Sequence, residues 1–139
     1  MSIQQVWLNL PVRDLERSKA FYRHIGFRVN PMHEKASHLA SFLIGARDFV
    51  LMLFPEHAFR GFVNNEIADL AKGTEMLINI DAQSREEVDQ LADRVREAGG
   101  LIYAEPGETQ GWMYAFGFAD PDGHRWSMLH MDVSRMPAK

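Results

Sequence analysis

The sequence predicts an α+β protein built from two successive βαβββ modules. Three observations carry this. An apolar, strand-like run precedes a helix-capping residue twice, at Asp14 and at Ser84. Each following helical pattern closes on glycine, at Gly26 and at Gly99–Gly100. Three extended runs then follow each helix, so the order of elements repeats. Module one covers about 1–56, a connector about 57–73 and module two about 74–139, together a single domain. With 139 residues, 46% of them hydrophobic, the chain can bury one core and is too short for two large domains.

In the first run, Ile3 to Val12, the residues Val6, Leu8, Leu10 and Val12 share one face, with Trp7 and Asn9 on the other. Asp14 can accept from the open N–H groups of a helix whose buried stripe is Leu15, Phe21, Tyr22 and Ile25. Phe27 follows Gly26 as hydrophobic closure. Extended segments are expected at about 27–34, 38–44 and 49–54, with Gly45–Asp48 as a hairpin turn and Pro55 as the stop. Between 57 and 73 the character is mixed, and Ile67, Leu70 and Ala71 are compatible with a short helix.

The second half opens on a strand in which Met76, Ile78 and Ile80 alternate with Glu75, Leu77 and Asn79. Ser84 and Glu87 form a capping box. Val88, Leu91, Ala92 and Val95 recur at helical spacing. Extended runs follow at about 101–104, 113–118 and 125–131. Asp120-Pro121-Asp122-Gly123 makes the tight turn before the last.

A net charge of −4 argues against nucleic acid as a partner but leaves room for a small anion at a local basic spot. There is no cysteine, which excludes disulfides, thiolate metal sites and a catalytic thiol. Met1 to Gln5 has neither a basic leader nor an apolar signal core. No apolar run reaches the roughly 18 residues of a membrane span. The expectation is a soluble, cytoplasmic protein with no membrane partner.

The run Leu10-Pro11-Val12-Arg13-Asp14-Leu15-Glu16-Arg17-Ser18, with Ala20-Phe21-Tyr22 and Ile25-Gly26-Phe27, resembles the opening signature of the vicinal oxygen chelate superfamily. That superfamily comprises glyoxalases, bleomycin-resistance proteins and extradiol dioxygenases. Ala98-Gly99-Gly100 resembles the end of its second helix, and Asp120-Pro121-Asp122-Gly123-His124 the turn before its last strand. The stretch from Trp112-Met113-Tyr114 to Trp126 is similar to its lactoylglutathione-lyase-related branch. The resemblance implies two modules around a cleft. In most of the enzymes, it also implies a divalent metal that polarises two neighbouring substrate oxygens.

Ligand positions carried over from the superfamily fall on Trp7, on or near Met52, on Glu75 and on Ser127. Of these only Glu75 is a good ligand. An indole N–H cannot coordinate, a thioether is soft, and a neutral hydroxyl is weak. The expectation is therefore a missing metal centre and no cofactor. A divalent metal remains the alternative if Glu75 is joined by His38 or His57. His24, His33, His124 and His130 read as surface, turn or loop residues.

What the cleft face offers instead is Trp7, Asn9, Met52, Phe54, Leu77, Asn79 and Ser127, with Trp112 and Tyr114 from a neighbouring strand whose facing the pattern leaves open. Glu75 is the catalytic candidate, as a general acid or base if an apolar wall raises its pKa. It can equally lie in solvent at the strand start, or pair with Arg125 or Lys72. Three functions follow: a small-molecule-binding protein without metal, a metal-dependent lyase or dioxygenase with unusual ligands, and a metal-free isomerase or hydrolase using Glu75. Phe59, Phe62 and Val63 offer apolar surface to a second copy in a homodimer, or fold back on the sheet.

Overall fold

The computed structural model describes residues 1–138; Lys139, with which the second module ends, lies outside the described residues. The chain divides into two compact units, Met1–Asp69 and Leu70 onward. Each unit is a four-stranded sheet with one long helix on one face.

In the first unit, β1 (Leu8–Val12) leads into α1 (Leu15–His24), then β2 (Arg28–Val29), β3 (Ala40–Ile44) and β4 (Phe49–Pro55). The sheet order is β1-β4-β3-β2. The last strand to be made inserts beside the first, parallel to β1 and antiparallel to β3. The opening strand is shorter than the alternation suggests. Its ladder with β4 begins at Leu8, and Ile3 and Val6 stay exposed.

Asp14 caps α1 by accepting from the Arg17 N–H at 3.1 Å. At the other end Gly26, at φ 104°, donates to the Arg23 carbonyl, and Phe27 donates to that of Tyr22. These are the two bonds of a Schellman motif, and the Phe27 ring stacks on Tyr22 at 5.6 Å. Phe21, Tyr22 and Ile25 are buried against Leu10, Val12, Ala40, Phe42, Leu51 and Leu53. A fully buried side chain of this kind stabilises by about 1.5–3 kcal/mol relative to leaving it exposed.

Two expectations for this unit are corrected. The long second strand is only Arg28–Val29. Asn30 then accepts from the Met32 N–H and Pro31 starts a single 3₁₀ turn, Pro31–His33. The connector helix is not at 67–71 but at α2, Glu56–Val63, directly after Pro55. Pro55 has the fixed φ that suits entry into a helix, and Asn64 ends it in the left-handed conformation. Phe62 folds back, its ring edge-on to Phe54 at 4.8 Å.

The second unit repeats the plan with β5 (Leu77–Asp81), α3 (Arg85–Glu97), β6 (Leu101–Thr109), β7 (Met113–Ala119) and β8 (Arg125–Met131). The order is β5-β8-β7-β6, again with the last strand parallel to the first. Ser84 accepts from the Glu87 N–H at 3.2 Å. The Glu87 carboxylate reaches back to the Gln83 N–H rather than to that of Ser84, so the box is offset by one residue. Gly99 and Gly100 close α3 with a second Schellman pair, to Arg96 and Val95.

Val88, Leu91, Ala92 and Val95 are buried with Phe116, Phe118 and Trp126, whose rings stack along the sheet. Strand β6 runs well past Ala104, through Pro106 and Gly107. It sits at the sheet edge and shifts register twice, between Ile102 and Ala104 and between Ala104 and Gly107, so it tolerates both residues. Among the described residues, no helix is long and apolar enough to cross a membrane.

Candidate functional site

Helices α1 and α3 each cover one face of their sheet, and strand alternation hands a distinct set of residues to the other. In the first unit, Asn9, Met52 and Ser41 stand side by side across β1, β4 and β3, out of phase with the residues buried under α1. Ser41 is buried and accepts from the Asn30 side-chain amide at 3.1 Å. The Asn9 Oδ1 is buried with no hydrogen-bond partner among the described residues, an acceptor left open beside Met52. Phe54, on the same face, is 9% exposed because α2 lies over it. Trp7 precedes β1 and is 52% exposed.

The second unit has the corresponding row, Asn79, Ser127 and Gly117, across β5, β8 and β7. Asn79 stands five positions ahead of the cap Ser84, as Asn9 does ahead of Asp14. Each asparagine faces the equivalent residue of its parallel neighbour, Met52 in one unit and Ser127 in the other. This register corrects one assignment: the counterpart of Trp7 is Leu77, not Glu75. Leu77 is 55% exposed. Glu75 lies in solvent ahead of β5, in a segment without regular structure, and forms no ion pair with Arg125 or Lys72.

Tyr114 is on the other face of its sheet. Its hydroxyl donates to the Asp89 carboxylate of α3 at 2.7 Å, which pushes the phenol pKa up. Trp112 sits in the β6–β7 turn, where its carbonyl accepts from the Asp132 N–H and its buried indole N–H has no partner among the described residues. Neither residue shares the face of Asn79 and Ser127 through the β7 ladder.

Tyr103, Gly117 and Arg125, none of them among the residues expected to line the cleft, complete this face. The register shift after Ile102 leaves Tyr103 as an extra residue opposite Gly117, and its ring lies over that glycine. The phenol donates to the Trp126 carbonyl at 3.0 Å. The Arg125 guanidinium stacks over the same ring, 4.4 Å from its centroid. Burial raises the Tyr103 pKa, and the Arg125 charge draws it partly back. A lone glycine inside a strand pattern was the available signal, since it marks close approach of another group.

The superfamily's metal does not fit these positions. They hold an exposed indole, a thioether, an aliphatic side chain and a hydroxyl, none of them the imidazole or carboxylate such metals take. His38 and His57 are exposed, in the segment before β3 and in α2. Among the described residues, no three His, Cys, Asp or Glu side chains converge to hold a metal ion.

Two four-stranded sheets of identical strand order, each with one long helix on one face, define an α+β repeat of two like units. The chain matches the model of the glyoxalase/bleomycin resistance protein/dioxygenase superfamily over residues 4–128, and it belongs to that superfamily. A solved structure of a hypothetical protein from S. aureus is 33% identical, with a TM-score of 0.82 over 94% of this chain and 95% of the other. A glyoxalase-related enzyme from Fulvimarina pelagi is 23% identical, with a TM-score of 0.76 over 92% and 88%. The fosfomycin resistance protein FosX of Listeria monocytogenes is 22% identical, with a TM-score of 0.66 over 92% and 91%. These last two likenesses carry the fold alone. No curated protein matches the sequence significantly.

Proposed function

We propose that this chain is a small-molecule-binding member of the superfamily that works without the family's metal centre, holding an amphipathic organic compound on the sheet faces away from α1 and α3. The observation that carries the reading is the donor set at the four family positions, Trp7, Met52, Leu77 and Ser127, which suits apolar and hydrogen-bonding contact rather than coordination. The open Asn9 Oδ1 adds an acceptor that a ligand O–H or N–H can satisfy. Asn79 and Ser127 supply donors and acceptors in the second unit.

The test pairs two measurements. Elemental mass spectrometry after dialysis against nickel, zinc, iron and manganese is expected to find no stoichiometric metal. A thermal-shift screen of aromatic amphiphiles and antibiotics, fosfomycin included, is expected to give at least one saturable rise that N9A abolishes and chelator leaves unchanged. One tightly held metal per chain, or a screen without any saturable shift, refutes the reading.

A further inference from the structure

We propose that Arg125, held over the Tyr103 ring beside Ser127 and Asn79, is an oxyanion-binding subsite on the open sheet face of the second unit, taking a carboxylate, phosphonate or phosphate group. It deepens the ligand-binding reading above by giving the bound compound an anionic end.

Arg28 pairs with Asp48, Arg85 and Arg135 with Glu108, and Arg96 with Asp93 and Glu105. Among the described residues Arg125 has no acidic partner, yet it is half-buried; Arg47 and Arg94, which also lack one there, stand in solvent. A guanidinium drawn partly out of water without a carboxylate has unmet donors, and five N–H groups in a planar fork fit an oxyanion in a two-point contact.

The side chain is also pre-positioned. The bulge in β6 aims Tyr103 across the sheet, Gly117 clears the space for its ring, and the hydrogen bond to Trp126 anchors the phenol. That ring is the platform on which Arg125 rests. Holding a long side chain in one pose before the ligand arrives removes part of the ordering cost of binding. Two residues along β8 on the same face, Ser127 offers a hydroxyl, and Asn79 stands opposite it on β5. Leu77 and Leu101, both exposed on this sheet, supply apolar surface for the remainder of a ligand.

The test follows the Arg125 side-chain Nε–H resonance in ¹H–¹⁵N spectra of the intact protein, assigned by its loss in R125Q. The probes are inorganic phosphate, methylphosphonate, benzoate and, as the neutral isostere, benzamide. The expected result is a saturable shift with the three anions and none with benzamide. S127A should weaken it two- to fivefold, and R125K, followed through the Ser127 backbone amide because its Nε–H is gone, should weaken binding at least fivefold as the two-point geometry is lost. R125Q should also move the Tyr103 ionisation to higher pH by absorbance titration, which checks that the arginine sits over the ring. A response equal for benzoate and benzamide, a linear non-saturating drift shared by exposed arginines, or no response at all overturns the subsite. If benzoate and benzamide bind equally and R125Q changes neither, the subsite falls while the ligand-binding reading stands. Anion binding at Arg125 with no hit in the amphiphile screen gives the reverse.

Discussion

The closest packing on the open face of the second unit makes a quantitative prediction for Gly117→Ala. A Cβ built there would lie 2.5 Å from the Tyr103 Oη and closer still to Cζ and Cε1, so the ring must swing off the sheet. The swing breaks the hydrogen bond to the Trp126 carbonyl, at about 1 kcal/mol. It also separates the ring from Arg125, at about 0.5–1 kcal/mol. The uncovered ring and strand surface cost about 1 kcal/mol more. Alanine in a strand recovers about 0.5–1 kcal/mol over glycine. The net loss is therefore about 2 kcal/mol, and Tyr103→Ala alone, without that recovery, loses about 3 kcal/mol.

In the double variant the clash has no object, so the loss stays near 2 kcal/mol where additivity requires about 5. Urea unfolding of the four proteins, followed by tryptophan fluorescence at constant m, measures the cycle. Additive single losses, or a Gly117→Ala protein within 0.5 kcal/mol of wild type, would refute the placement of the ring.

Trp126 is fully buried and stacked on Phe118, so Trp126→Ala should lose about 3–5 kcal/mol in the same assay. Asp120, itself buried, accepts from the N–H groups of Asp122 and His124 before β8. Asp120→Ala should cost about 2–4 kcal/mol by stranding the buried amide of His124, while Asp120→Asn, which keeps an acceptor oxygen, should retain most of it. Arg85 holds the Glu108 carboxyl below its ordinary value of 4.5. A depressed folded-state pKa gives stability that is present above pH 4.5 and lost as pH falls through the folded value. Glu108→Gln should therefore flatten the acid limb of the stability profile by lowering stability slightly at neutral pH and leaving it unchanged below the folded pKa, as urea unfolding at a series of pH values will read.

Local signals were legible in the sequence and non-local ones were not. Asp14, Ser84, Gly26 and Gly99 announce helix ends through bonds made within a few residues, so both long helices sit where the pattern places them. Helix α2 escaped because Pro55 reads as a stop. Its Phe59, Phe62 and Val63 also carry too short a pattern to separate a helix from a loop. Spacing from Asp14 located Trp7 and Asn9, and the ladder between β5 and β8 supports the same spacing from Ser84, which matches Leu77 with Trp7. The place of Tyr103 depends on a bulge, and one shifted residue decides which face a side chain joins. The facing of Tyr114 is fixed by its bond to Asp89 on α3, a contact 25 residues away in the chain.

The parallel pairing of β1 with β4 and of β5 with β8 has a consequence for how the chain acquires its structure. In each unit the opening strand has no neighbour until the closing strand has been made, because its one ladder is with that strand. During synthesis β1 must therefore wait through the whole of α1, β2 and β3, and β5 through α3, β6 and β7. The helices and the β3–β4 and β7–β8 hairpins can form from close neighbours, whereas closing each sheet requires a long loop to be ordered first. Cutting the chain just before Phe49 or before Arg125 should thus strand a whole half of the molecule with an exposed apolar edge, not merely trim it.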